Sequence, residues 1–140
     1  MYSKHHFLIS VAVAAAVAGL TTTPYPWWLL LVVAAVVGVG IDFDHFLVAG
    51  INTGDWEAIR RCVRDPRIVF LDQGEIFEEG EVGVVRRLLS HVVIGGLLVG
   101  ALAAVAPFLA AFVALVLYFH LLADLVWDVW NESSETDESD

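Results

Sequence analysis

Asp42, Asp44 and His45 stand together at the end of a long apolar run, in Gly40-Ile41-Asp42-Phe43-Asp44-His45-Phe46, and His120 and Asp124 stand near the end of another. Imidazoles and carboxylates in such places ligate a metal, move protons or pair with each other, because an ionisable group at membrane depth is too costly to stand alone. His120 and Asp124, four apart, share one helix face, and Asp42 and His45, three apart, do likewise. In a regular helix Asp44 is turned about 100° per residue from these neighbours, so its inclusion requires local unwinding, for which Gly38 and Gly40 leave room.

The elements that must position these groups are membrane helices. Of 140 residues, 59% are hydrophobic and only 17% charged, with mean hydropathy +0.75. That composition belongs to an integral membrane protein. The expected fold is all-α: a four-helix transmembrane bundle, with spans at about 6–22, 27–49, 88–106 and 108–129, each near the roughly 20 residues a span needs. Residues 1–130 form this polytopic membrane domain, and 131–140 an acidic tail of disordered composition. Ala16-Val17-Ala18 resembles a signal-peptidase site, but the first apolar segment is expected to be retained as a helix. Thr21 to Pro26 (TTTPYP) and Pro107 are turns.

Between the second and third spans, a loop over about 52–87 carries a short amphipathic helix. Trp56, Ile59, Cys62 and Val63 recur at helical spacing opposite Glu57, Arg60, Arg61 and Arg64, and Pro66 ends the pattern. The helix either lies in the membrane interface or packs on the bundle. Cys62, the single cysteine, reads as a small packing residue. Glu75 to Glu81 reads as a solvated charge run, and Gly96-Leu97-Leu98-Val99-Gly100 as a small-residue face for close helix packing.

Every Lys and Arg lies at Lys4 or between Arg60 and Arg87. The positive-inside rule then puts both termini and the long loop on the cytoplasmic side of a multi-pass cell-membrane protein. Counted inward from the outer turns at 1.5 Å per residue, His6 and His91 lie roughly 22 Å deep, Asp42 to His45 about 22–27 Å, and His120 and Asp124 about 18–24 Å. All four helices deliver His or Asp to the cytoplasmic third of the bilayer. His5 is read as an interfacial residue.

Inward-facing His and carboxylates from several helices of a bundle build metal sites. The candidate ligands are His6, Asp42, Asp44, His45, His91, His120 and Asp124. Mixed nitrogen and oxygen donors suit a divalent ion such as Zn²⁺, Mn²⁺ or Fe²⁺ rather than Mg²⁺ alone, with Zn²⁺ or Mn²⁺ expected. The alternative for any one His is a hydrogen-bonded packing residue, and for Asp42 or Asp124 an ion pair with Arg86 or Arg87. The formal charge of −10 excludes a nucleic-acid binder, which needs a basic face, and leaves membrane lipid as the expected partner. Six Arg against one Lys in so acidic a chain suggests a halophilic source.

Four stretches together resemble the membrane-bound metal-dependent hydrolase family, whose members are small and polytopic. His6-Phe7-Leu8 matches an early His before the first apolar helix, and Ile41-Asp42-Phe43-Asp44-His45 a P-D-I-D-H motif. Arg86-Arg87-Leu88-Leu89-Ser90-His91-Val92 is similar to H-R-G-x-T-H-S, and His120-Leu121-Leu122-Ala123-Asp124 to H-x-L-x-D. The chain departs from the pattern at Ile41, Arg86, Leu88 and Val92, and Trp127-Asp128 stand where the family has T-P. The resemblance implies a divergent member that binds a metal.

The expected function is therefore a metal-dependent hydrolase acting on an ester or phosphoester at the cytoplasmic face. Asp44 is its candidate general base, and Arg86 and Arg87 its anion-attracting residues. The alternative is a non-catalytic membrane protein with a structural metal or buried polar cluster. An ion or proton pathway is disfavoured, because the outer halves of the spans carry no ionisable groups. No nucleophilic Ser or Cys constellation and no nucleotide fingerprint is present.

Overall fold

The computed structural model describes residues 3–70, 73–78 and 80–137. Among these, every regular element is helical: α1 (Ser3–Leu20), α2 (Trp27–Gly40), a 3₁₀ turn (Ile41–Phe43), α3 (Asp44–Thr53), α4 (Glu57–Arg64), α5 (Arg67–Phe70), a second 3₁₀ turn (Gln73–Glu75), α6 (Val84–Val105) and α7 (Pro107–Asp137). Four stretches are long and apolar enough to cross a membrane: Ser3–Leu20, Trp27–Thr53, Val84–Val105 and Pro107–Asn131. Between 11% and 39% of each span's most apolar window is buried, so most of the apolar surface faces outward. Water would not tolerate so much exposed apolar area, whereas lipid covers it, and the helices are compatible with a membrane protein. Of the expected acidic tail, residues 131–137 continue α7 as helix and 138–140 lie outside the described residues.

The chain falls into two compact units, Met1–Ile41 with Ile94–Asp140, and Asp42–Val93. In the first, α1, α2 and α7 pack against one another. Local chemistry sets their ends. Thr21 Oγ1 donates to Val17 O at the α1 C-terminus, closing one of the carbonyls left open there. Extended Pro26 precedes α2, and Pro107 opens α7, its fixed φ suiting a first helical residue. The core joins Ala14 of α1, Leu30 and Ala34 of α2, and Phe112, Val113, Val116 and Leu117 of α7.

Small residues decide how closely α1 and α2 approach. A Cβ at Gly38 would stand 1.9 Å from Ser10 Oγ and 2.7 Å from Ser10 Cβ, so glycine is required there by contact. Gly95 meets Leu117, but a Cβ at Gly96 or Gly100 would touch nothing within 4 Å. The Gly96-to-Gly100 face is therefore not a packing face among the described residues. Close approach comes from Gly38 instead, because packing follows which helix face is covered and not the spacing of glycines alone.

In the second unit, α3 ends at Gly54, whose φ of 77° is the left-handed cap conformation. Trp56 then lies on Gly50, where a Cβ would be 2.8 Å from the indole ring. In α4, Ala58 is buried while Trp56, Ile59 and Val63 of the apolar face are exposed. The charge run is not simply solvated: the Arg61 guanidinium donates to Glu78 and Glu81, and Arg61 Nε to Ile76 O at 3.0 Å. The hydrogen bond to Glu81 holds the Arg61 pKa above its usual value. Burial pushes the Cys62 thiol up as well, which makes it a poor nucleophile.

Gly38→Ala is expected to lower stability by about 1–3 kcal/mol through overpacking, and Ser10→Gly in the same chain to restore part of it. Thermal unfolding of the detergent-purified variants checks this; an unchanged midpoint for Gly38→Ala would remove the contact from the account.

Candidate metal centre

Each unit brings its own His and Asp together. In the second unit the regular helix gives way at Ile41–Phe43 to a 3₁₀ turn, and α3 begins at Asp44. The backbone at this point is thus wound more tightly than an α-helix, where the sequence led to an expectation of unwinding. The tighter winding also re-aims Asp42 and Asp44 relative to one another.

Asp42, His45 and His91 each offer one donor atom, and these atoms lie within 4.8 Å of one another. His91 Nδ1–H donates to Asp44 Oδ2 at 2.8 Å. That bond leaves Nε2 facing Asp42 Oδ1 at 3.3 Å, while His45 Nε2 lies 4.0 Å from the same oxygen. Two carboxylates on one imidazole need either a second ring proton or a cation between Nε2 and Asp42. Donor atoms of a tetrahedral Zn²⁺, about 2.0–2.1 Å from the ion, stand about 3.3 Å apart, which His91 Nε2 and Asp42 Oδ1 match, while His45 Nε2 stands further out at 4.0 Å. His45 Nε2 and Asp44 Oδ1 are buried with no hydrogen-bond partner among the described residues. A cation at this point would satisfy the first of them. The donor set, two imidazoles and one carboxylate with a second carboxylate behind His91, fits a divalent ion.

In the first unit, His6 of α1 meets His120 and Asp124 of α7. His6 Nε2 lies 3.2 Å from Asp124 Oδ1, and His120 Nε2 3.5 Å from Asp124 Oδ2. The two imidazoles stack with ring centroids 3.8 Å apart. The 120/124 spacing puts both α7 groups on one face, and His6 reaches them across the α1–α7 contact. Exposure separates the two groups: His6, His120 and Asp124 are at most 1% exposed, whereas the side chains of Asp42 and His45 keep 12% and 17%.

Arg86 donates to Asn52 Oδ1 and lines an open groove of about 480 Å³ with Asn52, Gly80, Gly83, Val84 and Val85. Arg87 is half-buried in the first turn of α6. Two polar residues carry more than the sequence suggested. Asn52 donates Nδ2–H to Glu81 O at 2.8 Å and so ties α3 to the loop. Ser10, an interruption in an apolar run, is fully buried. Its place four residues after His6, on the same helix face, was the available signal. His5 stacks on Trp127 at 6.1 Å.

No family model matches this chain, and neither a curated protein nor a solved structure matches it. The chemistry of the centre rests on its own residues.

Asp44→Ala removes the acceptor that orients His91 and is expected to weaken Zn²⁺ binding by about 10–100-fold. Competition with a chromophoric chelator measures this, and equal affinity would mean that Asp44 does not position His91.

Proposed function

We propose that this chain is a membrane-embedded, metal-dependent hydrolase, a divergent member of the family it resembles. It acts on an ester or phosphoester at the cytoplasmic face. The observation that carries the reading is the convergence of Asp42, His45 and His91 donor atoms within 4.8 Å, with Asp44 behind His91. Partial exposure of Asp42 and His45 supports this group as the reactive one, since a catalytic metal keeps a position open to water and substrate.

In the proposed arrangement the four spans form a bundle with both termini and the connecting loop cytoplasmic. The outward apolar face of α4, with Trp56, Ile59 and Val63 exposed beside Arg60 and Arg64, supports an interfacial helix in that loop. Asp42, His45 and His91 would hold Zn²⁺ or Mn²⁺. When bound, such an ion polarises the ester or phosphoryl oxygen and brings the pKa of an attacking water near neutral. Asp44 holds His91 through Oδ2 and uses Oδ1 to take the proton from the water. Arg86, on its open groove, and Arg87 attract the anionic part of a phosphoester or lipid headgroup.

The test is turnover of p-nitrophenyl acetate and bis-p-nitrophenyl phosphate by the detergent-purified, Zn²⁺- or Mn²⁺-loaded protein. Asp44→Asn keeps an acceptor for His91 Nδ1–H but removes the base. It is expected to retain the metal and lose about 10²–10⁴-fold in kcat. His45→Ala with His91→Ala is expected to lose both metal and turnover. A metal-loaded parent that hydrolyses neither class of substrate overturns the reading.

A further inference from the structure

We infer that Phe77 is a positioning residue for His45, and that Arg61 of α4 holds it in place. The inference deepens the proposed function and rests on it for the assignment of Asp42, His45 and His91 as the metal centre. All the residues involved belong to the second unit.

The need arises at His45 itself. His91 is aimed by its hydrogen bond to Asp44, but His45 Nε2 lies 4.0 Å from Asp42 Oδ1 and 3.9 Å from Asp44 Oδ1, too far for a hydrogen bond. Ring contacts orient His45 instead. It stacks on His91 with centroids 5.2 Å apart, and Phe77 meets it edge to face at 6.0 Å and 88°. Aromatic contacts of this kind favour particular ring orientations. A ligand ring left free to turn has to be ordered when the ion arrives, and that ordering lowers affinity.

Phe77 lies in the loop between the second 3₁₀ turn and α6, and its two neighbours are the groups that are held. Arg61 Nε donates to Ile76 O at 3.0 Å, and the guanidinium donates to Glu78 and Glu81. One side chain thus grips the residues on both sides of Phe77. The Glu78 side chain is 76% exposed against 11% for Glu81, so Glu81 and the Ile76 carbonyl are the stronger anchors and the solvated pair the weaker one. Glu78 N–H donates to Glu81 Oε2 at 2.8 Å and closes the turn. Asn52 ties Glu81 O to α3, the helix that carries His45, and Phe77 packs on Phe46 of that helix with centroids 5.0 Å apart. Arg61 therefore acts on the centre through the loop.

The experiment uses Co²⁺ as the probe, because its visible absorption reports both occupancy and the arrangement of the donors. The full-length protein, purified in detergent, is titrated with Co²⁺, and His45→Ala with His91→Ala marks which signal belongs to this centre. Phe77→Ala and Arg61→Met are each expected to bind Co²⁺ about three- to tenfold more weakly and to shift its absorption bands. Acting on one contact, the two changes combined should weaken binding no further than the more damaging of them alone. Phe77→Tyr, which keeps the ring, should restore the parent affinity and spectrum. Parent affinity and spectrum in Phe77→Ala overturn the inference and leave the proposed function standing, even where the unfolding midpoint falls, since the ring would then serve loop packing alone. A loss in Phe77→Tyr equal to that in Phe77→Ala overturns it as well. No Co²⁺ bound by the parent overturns both readings. If Phe77→Ala does not elute as the parent does, Phe77→Leu, which keeps the bulk without the ring, is read in its place.

Discussion

A carboxylate carried into apolar surroundings has to be met there by positive charge or by donors, and this requirement acts on both units. In the second, Asp44 accepts from His91 Nδ1, and the other nitrogen of the same ring is turned to Asp42. In the first, Asp124 lies between the imidazoles of His6 and His120. In each case the alternative is a charge held in a low dielectric at a cost of several kcal/mol. The imidazoles cannot be exchanged for apolar residues of similar size without exposing that cost, so the clusters fix which helix faces meet.

Backbone geometry serves the same end. The 3₁₀ turn at Ile41–Phe43 interrupts a helix that would otherwise swing Asp44 away from Asp42 and His45. Gly38, one turn earlier, admits the Ser10 hydroxyl so closely that no side chain fits. The approach of α1 to α2 and the aim of the two carboxylates are thus set within a few residues of each other. In the loop, Arg61 and Asn52 do comparable work by gathering Glu78, Glu81 and the Ile76 carbonyl.

The two clusters have the same donor types but different access. Asp42 and His45 retain some exposure, and an outer carboxylate orients His91. Such an outer partner fixes the ring and raises its basicity as a ligand. The cluster of His6, His120 and Asp124 is sealed.

What the sequence alone determined was set by short-range pattern. Four apolar runs separated by prolines and by a polar loop define the long helices, and their bounds follow hydropathy and turn residues. That the regular helix must change near Asp44 followed from helix geometry, although the change is a tighter 3₁₀ turn and not an unwinding, and the pairing of His120 with Asp124 followed from a four-residue spacing. Only the tertiary structure decided which donors meet. His91 finds Asp44 across 47 residues of chain and Asp42 across 49, and no periodicity encodes such a pairing. The same holds for Asn52 with Arg86, for Arg61 with its glutamates, and for glycine 38 rather than 96 or 100 as the close contact. These depend on which faces the packed helices present, a property of the assembled chain and not of any single stretch of it.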